Sequence, residues 1–392
     1  MKDRELAEAI ARRVKEKNGR AYYVGGCVRD AVLGREGKDL DIEVYGLYPE
    51  ELEKLLQGFG AVKAVGKSFG IFTLAHAGLD IALPRTERKI GDTHHSFFTH
   101  ADPFLPEEEA CRRRDFTMNA LLEDVLSGER KDYFGGLQDI REKKIALIDP
   151  LHFPEDPLRV LRAARFAAQL DFFVEEETRK VCSGIDLSTL SKERVFEESE
   201  KALLAPQPER YFEELQRMGQ LSVWYPELEG MHYEEVLRRA LPLREEAEHP
   251  AAFLLAVLLS DLPLTARKAL LDRLSNEKEI RHQALSFPEY RRELQTQEEA
   301  FALFDSEKQH HDLALYLSLY VPGAWKEYHE TYEEFLQKDH VSGSDLLALG
   351  IPAGAGLGEL LKKIRKEEYT RSKEDILREW KEKGCIDWKN AD

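Results

Sequence analysis

The stretch AYYVGGCVRDAVLG at residues 21–34, followed by DLDIEVYG at 39–46, decides the fold class. AYYVGG reads as a buried strand closing on a glycine turn, and CVRDAVLG as a helix of about two turns. DLDIEVYG alternates polar and apolar residues with period two, as a strand does. Working outward, the preceding segment MKDRELAEAIARRVKEK is a charged amphipathic helix with no apolar signal core. PEELEKLLQGFG at 49–60 has a proline near a helix start and glycines at its end. KSFGIFTLAHAGLDIALPR at 67–85 reads as a hairpin with Gly78 in its turn. The first 125 or so residues are thus a small mixed α/β unit.

Residues 91–110, GDTHHSFFTHADPFLPEEEA, collect turn formers, histidines and acids, and read as a long loop. Beyond Pro157 the apolar spacing becomes helical and extended alternation almost vanishes. The expected class is therefore α+β: a mixed head followed by an all-helical remainder. No period of 20–50 residues recurs, which excludes a repeat solenoid. The longest apolar run, Ala251 to Leu259, is too short to span a bilayer. A cytoplasmic location is expected, with no membrane association and no protein partner. Cys27, Cys111, Cys182 and Cys385 form no CxxC pair, so neither a disulfide framework nor a structural zinc site is expected. The chain carries 57 basic and 74 acidic residues, a formal charge of −17. That sign is wrong for a sequence-blind polyanion binder, so any RNA contact must use local basic surfaces.

Asp39 and Asp41 stand two apart in a strand and project to one face. Asp80, on a neighbouring strand, would complete a cluster of three carboxylates. Such acids repel unless a cation neutralises them, and Mg²⁺ favours a few carboxylates completed by water and phosphate. Gly25 and Gly26 lie at a strand-to-helix turn, where helix-start N–H groups can hold phosphate, with Arg29 one turn further on.

This order, a glycine pair, a short helix and a strand bearing two acids, resembles the nucleotidyltransferase superfamily typified by DNA polymerase β. Further blocks narrow the resemblance. RRRDFTMNA at 112–120 and EDPLRVLRAARF at 155–166 look like the RRDFTxNA block and EDxxR helix of class II tRNA nucleotidyltransferases and bacterial poly(A) polymerases. GGCVRD at 25–30 and PRTERK at 84–89 fit the same family in the same order. The likeness is dense from about residue 20 to 205 and patchier beyond.

The resemblance implies a nucleotidyltransferase head at 1–148, a base-reading neck at 149–210, a body at 211–290 and a tRNA-binding tail at 291–392. It implies transfer of C and A from CTP and ATP to the tRNA 3′ end at the acceptor arm, without a template and with release of pyrophosphate. Two Mg²⁺ ions would sit on Asp39 and Asp41, with Asp80 as a further ligand or as acceptor of the hydroxyl proton. Gly25, Gly26 and Arg29 would hold the triphosphate, and Arg114, with Asp115 and Asn119, the ribose. Asp156 and Arg159 would read the base, with Arg162 and Arg165 further round the same helix, near phosphate or as ion partners. A carboxylate accepts from the exocyclic amine of C or A, where U and G present a carbonyl oxygen.

Within this family 32 residues from Asp80 to Arg113 show no deletion of the kind seen in CC-only enzymes. GKSF at 66–69 stands where poly(A) polymerases tend to carry a GRRF-like stretch. A-only addition, polyadenylation and a silent RNA-binding relative are the alternatives. His310-His311-Asp312 lacks the partner ligands of an HD phosphohydrolase and is not read as one. His94, His95 and His100 lack metal-ligand spacing. GAGLG at 354–358 follows no strand, so it reads as a helix start and not a dinucleotide site.

Overall fold

The computed structural model describes residues 3–35, 40–64, 70–74, 78–89, 97–291 and 296–382. The chain forms two compact units, residues 1–233 and 234–392. The first holds the glycine turn, the acids and both arginine-rich blocks.

In the first unit helix α1 (Asp3–Glu16) buries Ala7, Ile10, Ala11 and Val14, the i, i+3, i+4, i+7 stripe its sequence carries. It packs on strand β1 (Arg20–Val24), which leads into helix α2 (Gly26–Val32) and strand β2 (Leu40–Tyr45). Helix α3 (Pro49–Leu56) follows, then β3 (Val62–Ala64), β4 (Ile71–Leu74) and β5 (Leu79–Ala82). Strands β8 (Leu122–Asp124) and β9 (Arg130–Lys131) complete a seven-stranded sheet of order β3-β4-β5-β2-β1-β8-β9. All neighbours are antiparallel except β2 and β5, which run parallel at the centre. The expected β4–β5 hairpin is present, Thr73 facing Asp80 across it.

The segment read as a long loop is partly regular. Strand β6 (Arg85–Lys89) pairs antiparallel with β7 (Phe97–Ala101), and helix α4 spans Glu107–Arg112. Phe97, Phe98 and Thr99 are strand formers whose signal was masked by surrounding turn residues. After Pro106, three glutamates occupy the first turn of α4, where the helix dipole favours them. His94 and His95 lie outside the described residues.

The head and the following helices share one core. Helix α5 (Gly136–Arg141) sits so close to the RRDFT block that a Cβ on Gly136 would fall 2.2 Å from the Thr117 carbonyl oxygen. Helix α6 (Leu158–Leu170), which α7 (Glu176–Ser183) follows, packs against α8 (Lys192–Leu203) and α9 (Glu209–Arg217). Its buried Ala163, Ala164, Ala167 and Ala168 allow close approach on several sides. Phe116 of the RRDFT block meets Phe153 and Phe166 edge-on, with centroids 5.6 and 5.8 Å apart.

One element boundary differs from the sequence reading. Asp156 is not on the helix that carries Arg159: α6 begins at Leu158, and Asp156 is extended, at φ −118° and ψ 102°. Pro157 is the cause, since its ring disfavours helical geometry at the residue before it.

The second unit is helical among its described residues. The helices Pro250–Leu258, Lys278–Ser286 and His310–Tyr320 pack together, and Gln297–Ser306, His310–Tyr320 and Trp325–Leu336 form a second cluster. Gly354 precedes the helix Ala355–Glu367, as GAGLG suggested. No helix among the described residues is long and apolar enough to cross a membrane.

Candidate functional site

The carboxylates come first. Asp41 and Asp80 are Cα partners across the parallel β2–β5 pair, at the centre of the sheet. Neighbours at one register of a parallel pair point their side chains to the same face. On each strand the flanking residues, Leu40 and Ile42, Leu79 and Ile81, are buried on the other face. Asp80 is exposed and accepts a hydrogen bond from Thr73 Oγ1 at 3.3 Å. Asp39, the third expected acid, lies outside the described residues. Two carboxylates at one register on adjacent strands fit a divalent cation, because a cation between oxygen donors of like charge at strand spacing stabilises them together.

Next to them is the glycine turn. Gly25 has φ 68°, a left-handed conformation that glycine adopts without penalty, and a Cβ there would stand 3.1 Å from Arg114 Nη1. Arg114 is held by Glu43, whose carboxylate accepts from Nη2 at 2.9 Å and from the Tyr45 hydroxyl at 2.8 Å. Burial alone would lower the Arg114 pKa, but the Glu43 charge outweighs it and the guanidinium is shifted upward. Glu43 follows Asp41 by two, so one face of β2 presents a carboxylate that could hold a cation and then an arginine anchor.

A chain of polar contacts then runs from α6 to the glycine helix. Arg162 donates to Asp115 Oδ2 at 2.7 Å from Nε and 2.6 Å from Nη2. Asp115 Oδ1 accepts from Asn119 Nδ2 at 2.9 Å, and Asn119 Oδ1 accepts from Arg29 Nη1 at 2.8 Å. Arg29 also donates to Asp30 at 2.9 Å. Burial would raise the Asp115 pKa, but Arg162 and these hydrogen bonds outweigh it and the carboxyl sits below its usual range. Arg29 is therefore almost fully buried and aligned by the RRDFT block, not extended into solvent beside the turn.

The expected base-reading pair is partly engaged. Both Asp156 oxygens accept from Arg194 Nη2, at 3.0 and 3.1 Å, and Oδ1 also accepts from the Leu158 N–H. Arg159 donates to the carbonyls of His152, Phe153 and Arg113 at 3.0, 3.5 and 2.8 Å, pinning the start of α6 to the RRDFT block. Arg165 is the deepest of the helix arginines. Its Nε meets Glu198 at 2.5 Å and its Nη1 meets Gln169 at 2.7 Å, so it is an ion partner in the core.

Sequence reasoning missed three positioning residues: Glu43, Arg194 and Glu198. The signals were present. Glu43 continues the Asp39, Asp41 spacing, and Arg194 and Glu198 stand i, i+4 on α8. Cys27 was read as packing, and its half-buried thiol donates to the Val24 carbonyl at 3.1 Å, with desolvation pushing its pKa up. That makes a poor nucleophile.

Two family models match. "Poly A polymerase head domain" covers residues 21–146, and "Probable RNA and SrmB-binding site of polymerase A" covers 171–231. A "Multifunctional CCA protein" of Pasteurella multocida is 43% identical over 217 residues, 54% of this chain and 50% of the relative. One from Actinobacillus pleuropneumoniae is 38% identical over 265 residues, covering 62% and 63%. The chain thus spans about half the length of the curated relatives it matches most strongly. Among solved structures, the Bacillus stearothermophilus CCA-adding enzyme in complex with CTP superposes with a TM-score of 0.76 at 26% identity, over 100% of both chains. The Thermotoga maritima CCA-adding enzyme complexed with tRNA superposes at 0.67 and 26%, over 96% of this chain and 94% of that one.

Proposed function

We propose that the chain is a class II CCA-adding enzyme, and that it adds C and A from CTP and ATP to the 3′ end of tRNA. The observation that carries the reading is the pairing of Asp41 with Asp80 at one register, beside a glycine turn backed by Arg114. The relatives' names and the CTP- and tRNA-bound structures support the choice of substrates.

In the proposed reaction the terminal 3′-oxygen of the RNA forms a bond to the α-phosphorus, and the bond to the bridging oxygen breaks to release pyrophosphate. Asp41 and Asp80, with Asp39, are the residues that would hold Mg²⁺, which when bound would favour the attacking oxyanion and neutralise the departing charge. Asp80, whose side chain is exposed, would serve as a further ligand or take the hydroxyl proton. Gly25 and Gly26 leave the backbone at the start of α2 open to phosphate. Arg114, oriented by Glu43 and standing against that turn, would meet the ribose and phosphate of the incoming nucleotide. Arg29 acts one layer behind, through Asn119. We divide the labour as head 1–148, base-reading neck 149–210, body 211–290 and tRNA-binding tail 291–392.

Asp156 and Arg159 are proposed to choose the base. Arg194 turns the Asp156 carboxylate into a fixed acceptor, and Oδ2, which accepts from Arg194 while Oδ1 also takes the Leu158 N–H, has a further lone pair for an amine. An exocyclic amine of C or A donates there, whereas U and G would oppose an oxygen to an oxygen. Losing a hydrogen bond to a charged group costs about 1.5–3 kcal/mol, or roughly ten- to a hundredfold in discrimination. Asp156→Ala should therefore lower CTP and ATP use by that factor and relax the exclusion of UTP. Single-nucleotide incorporation with all four triphosphates reads this directly. Unchanged preference in both Asp156→Ala and Arg159→Ala would place base reading elsewhere.

The activity itself is tested by extending two tRNAs, one ending at the discriminator base and one already carrying CC, with Mg²⁺ and labelled CTP or ATP. Addition of CC then A to the first, and of a single A to the second, is the expected result. Extension of the second tRNA alone would make this an A-only enzyme, a long A ladder a poly(A) polymerase, and no incorporation a silent RNA binder.

A further inference from the structure

Far along the sequence from the proposed catalytic carboxylates, the second unit brings together three side chains, of which the sequence drew attention to His310 alone. His310 begins the helix His310–Tyr320, while His329 and Glu333 stand one turn apart on Trp325–Leu336. His310 Nδ1 lies 2.9 Å from His329 Nε2 and 3.6 Å from Glu333 Oε1, and His329 Nε2 lies 3.5 Å from the same Oε1. These three donor atoms form a nearly equilateral triangle that faces inward on itself.

From this geometry we infer that His310, His329 and Glu333 form a zinc-class divalent cation site bridging the two helices. Zinc binds imidazole nitrogen and carboxylate oxygen at ~2.0–2.2 Å in tetrahedral geometry, which separates adjacent donors by ~3.3 Å. The triangle's edges scatter around that value, and its circumscribed circle has a radius of about 1.9 Å. A cation just off its plane would reach all three donors at bonding distance without moving a backbone atom. Two imidazoles and one carboxylate favour zinc over magnesium, which selects oxygen ligands.

The rings are fixed by their surroundings. Phe304 packs against both imidazoles, at 6.5 and 5.5 Å between centroids, and Tyr332 meets His310 edge-on at 5.4 Å. His329 is buried, whereas the Glu333 side chain is 47% exposed, which gives a path for the ion and leaves the fourth position to water. The adjacent residues are committed elsewhere. His311 Nε2 contacts the Glu246 carbonyl at 2.9 Å, and buried Asp312 accepts from the Glu248 and His249 N–H groups and from Gln283. The HHD triplet is therefore not an HD phosphohydrolase centre, and the cation site uses its first histidine alone. At present the two imidazoles share a hydrogen. For both facing nitrogens to bind metal, the donor ring moves that hydrogen to its other nitrogen, and no net proton need leave.

The test uses the full chain stripped with a chelator and dialysed against micromolar Zn²⁺ in millimolar Mg²⁺, with bound metal measured by elemental analysis. One zinc per chain is expected, with affinity lowered at least about tenfold in both His310→Ala and Glu333→Gln. Glu333→Gln is half exposed and close in shape, so its fold is expected to survive, which circular dichroism checks. Cobalt in place of zinc should give the intense visible absorption of a four-coordinate centre in the wild type and lose it in Glu333→Gln. No zinc uptake, or uptake equal in the wild type and both variants, overturns the site. The readout is independent of nucleotide transfer, so it stands apart from the proposed activity.

Discussion

Asp41→Ala should lower nucleotide incorporation at least about a thousandfold while leaving the unfolding midpoint unchanged or slightly higher. The activity loss is the size expected when charge stabilisation built for a transition state is removed, about 4 kcal/mol of barrier. The sign of the stability effect follows from the register. Asp41 and Asp80 face the same way across adjacent strands, so in the absence of a cation each raises the energy of the other. Removing one relieves that repulsion, and the apolar face of β2 keeps Leu40, Ile42 and Val44 in the core. Steady-state incorporation at saturating CTP and Mg²⁺, beside thermal melts in a chelator, measures both quantities. Turnover within tenfold of the wild type would sink the assignment of Asp41 to the chemistry. A large fall in stability would show instead that Asp41 is a structural residue. The same substitution at Asp80 should share the activity loss, while Thr73→Ala, which removes only the hydroxyl donor to Asp80, should cost far less.

Much of this site was legible before any coordinates. Period-two alternation placed Asp41 on a strand, the glycine pair marked the turn, and the order of blocks carried the family resemblance. What stayed hidden depends on pairing between distant segments. Nothing in DLDIEVYG or LDIALPR says that the two strands run parallel at one register, because the intervening elements decide it. Arg29, Arg114, Asp115 and Asn119 were all named as nucleotide ligands. The sequence could not tell that Asn119 takes Arg29 inward, or that Glu43 takes Arg114. A charged side chain beside a glycine turn reads the same whether it faces substrate or a buried counter-ion. The helix start at Asp156 was open to correction from the sequence, since a proline follows it. Reading the EDxxR block as one helix overlooked that local rule. The strand at 97–101 was hidden for the opposite reason. Its aromatic and β-branched residues were outvoted by the turn formers around them, and only its partner at 85–89 makes it a strand.

The arginine stripe of α6 leads to the second large expectation. Glu198→Ala should destabilise the α6–α8 packing by about 3–5 kcal/mol, the range for removing one partner of a buried ion pair. Glu198 is 3% exposed, Arg165 is 8% exposed, and Arg162 Nη1 is a further 3.8 Å from the Glu198 carboxylate. Burial dominates at Arg165: even with Glu198 in contact, its pKa is pulled below the ordinary arginine value, partly through the like charge of Arg162. Without Glu198, two guanidiniums would share a core site with Gln169 and Asp115 as their remaining polar partners. A domain is stable by only about 5–15 kcal/mol, so this is a substantial share of the whole. Amide hydrogen exchange localises the effect better than a global melt, because the chain has two units. Protection across α6 and α8 should fall by at least about a hundredfold in Glu198→Ala. Glu198→Gln keeps a hydrogen-bond acceptor and should fall less. The double variant Arg165→Met with Glu198→Met removes both charges and should recover most of the protection, since an apolar pair of similar volume is often as stable as the ions it replaces. If the single alanine variant exchanges like the wild type, Glu198 does not hold the helix. If the methionine pair fails as badly as the alanine variant, shape and not charge decides this contact. Recovery would show the opposite and would separate Arg165 from the nucleotide chemistry.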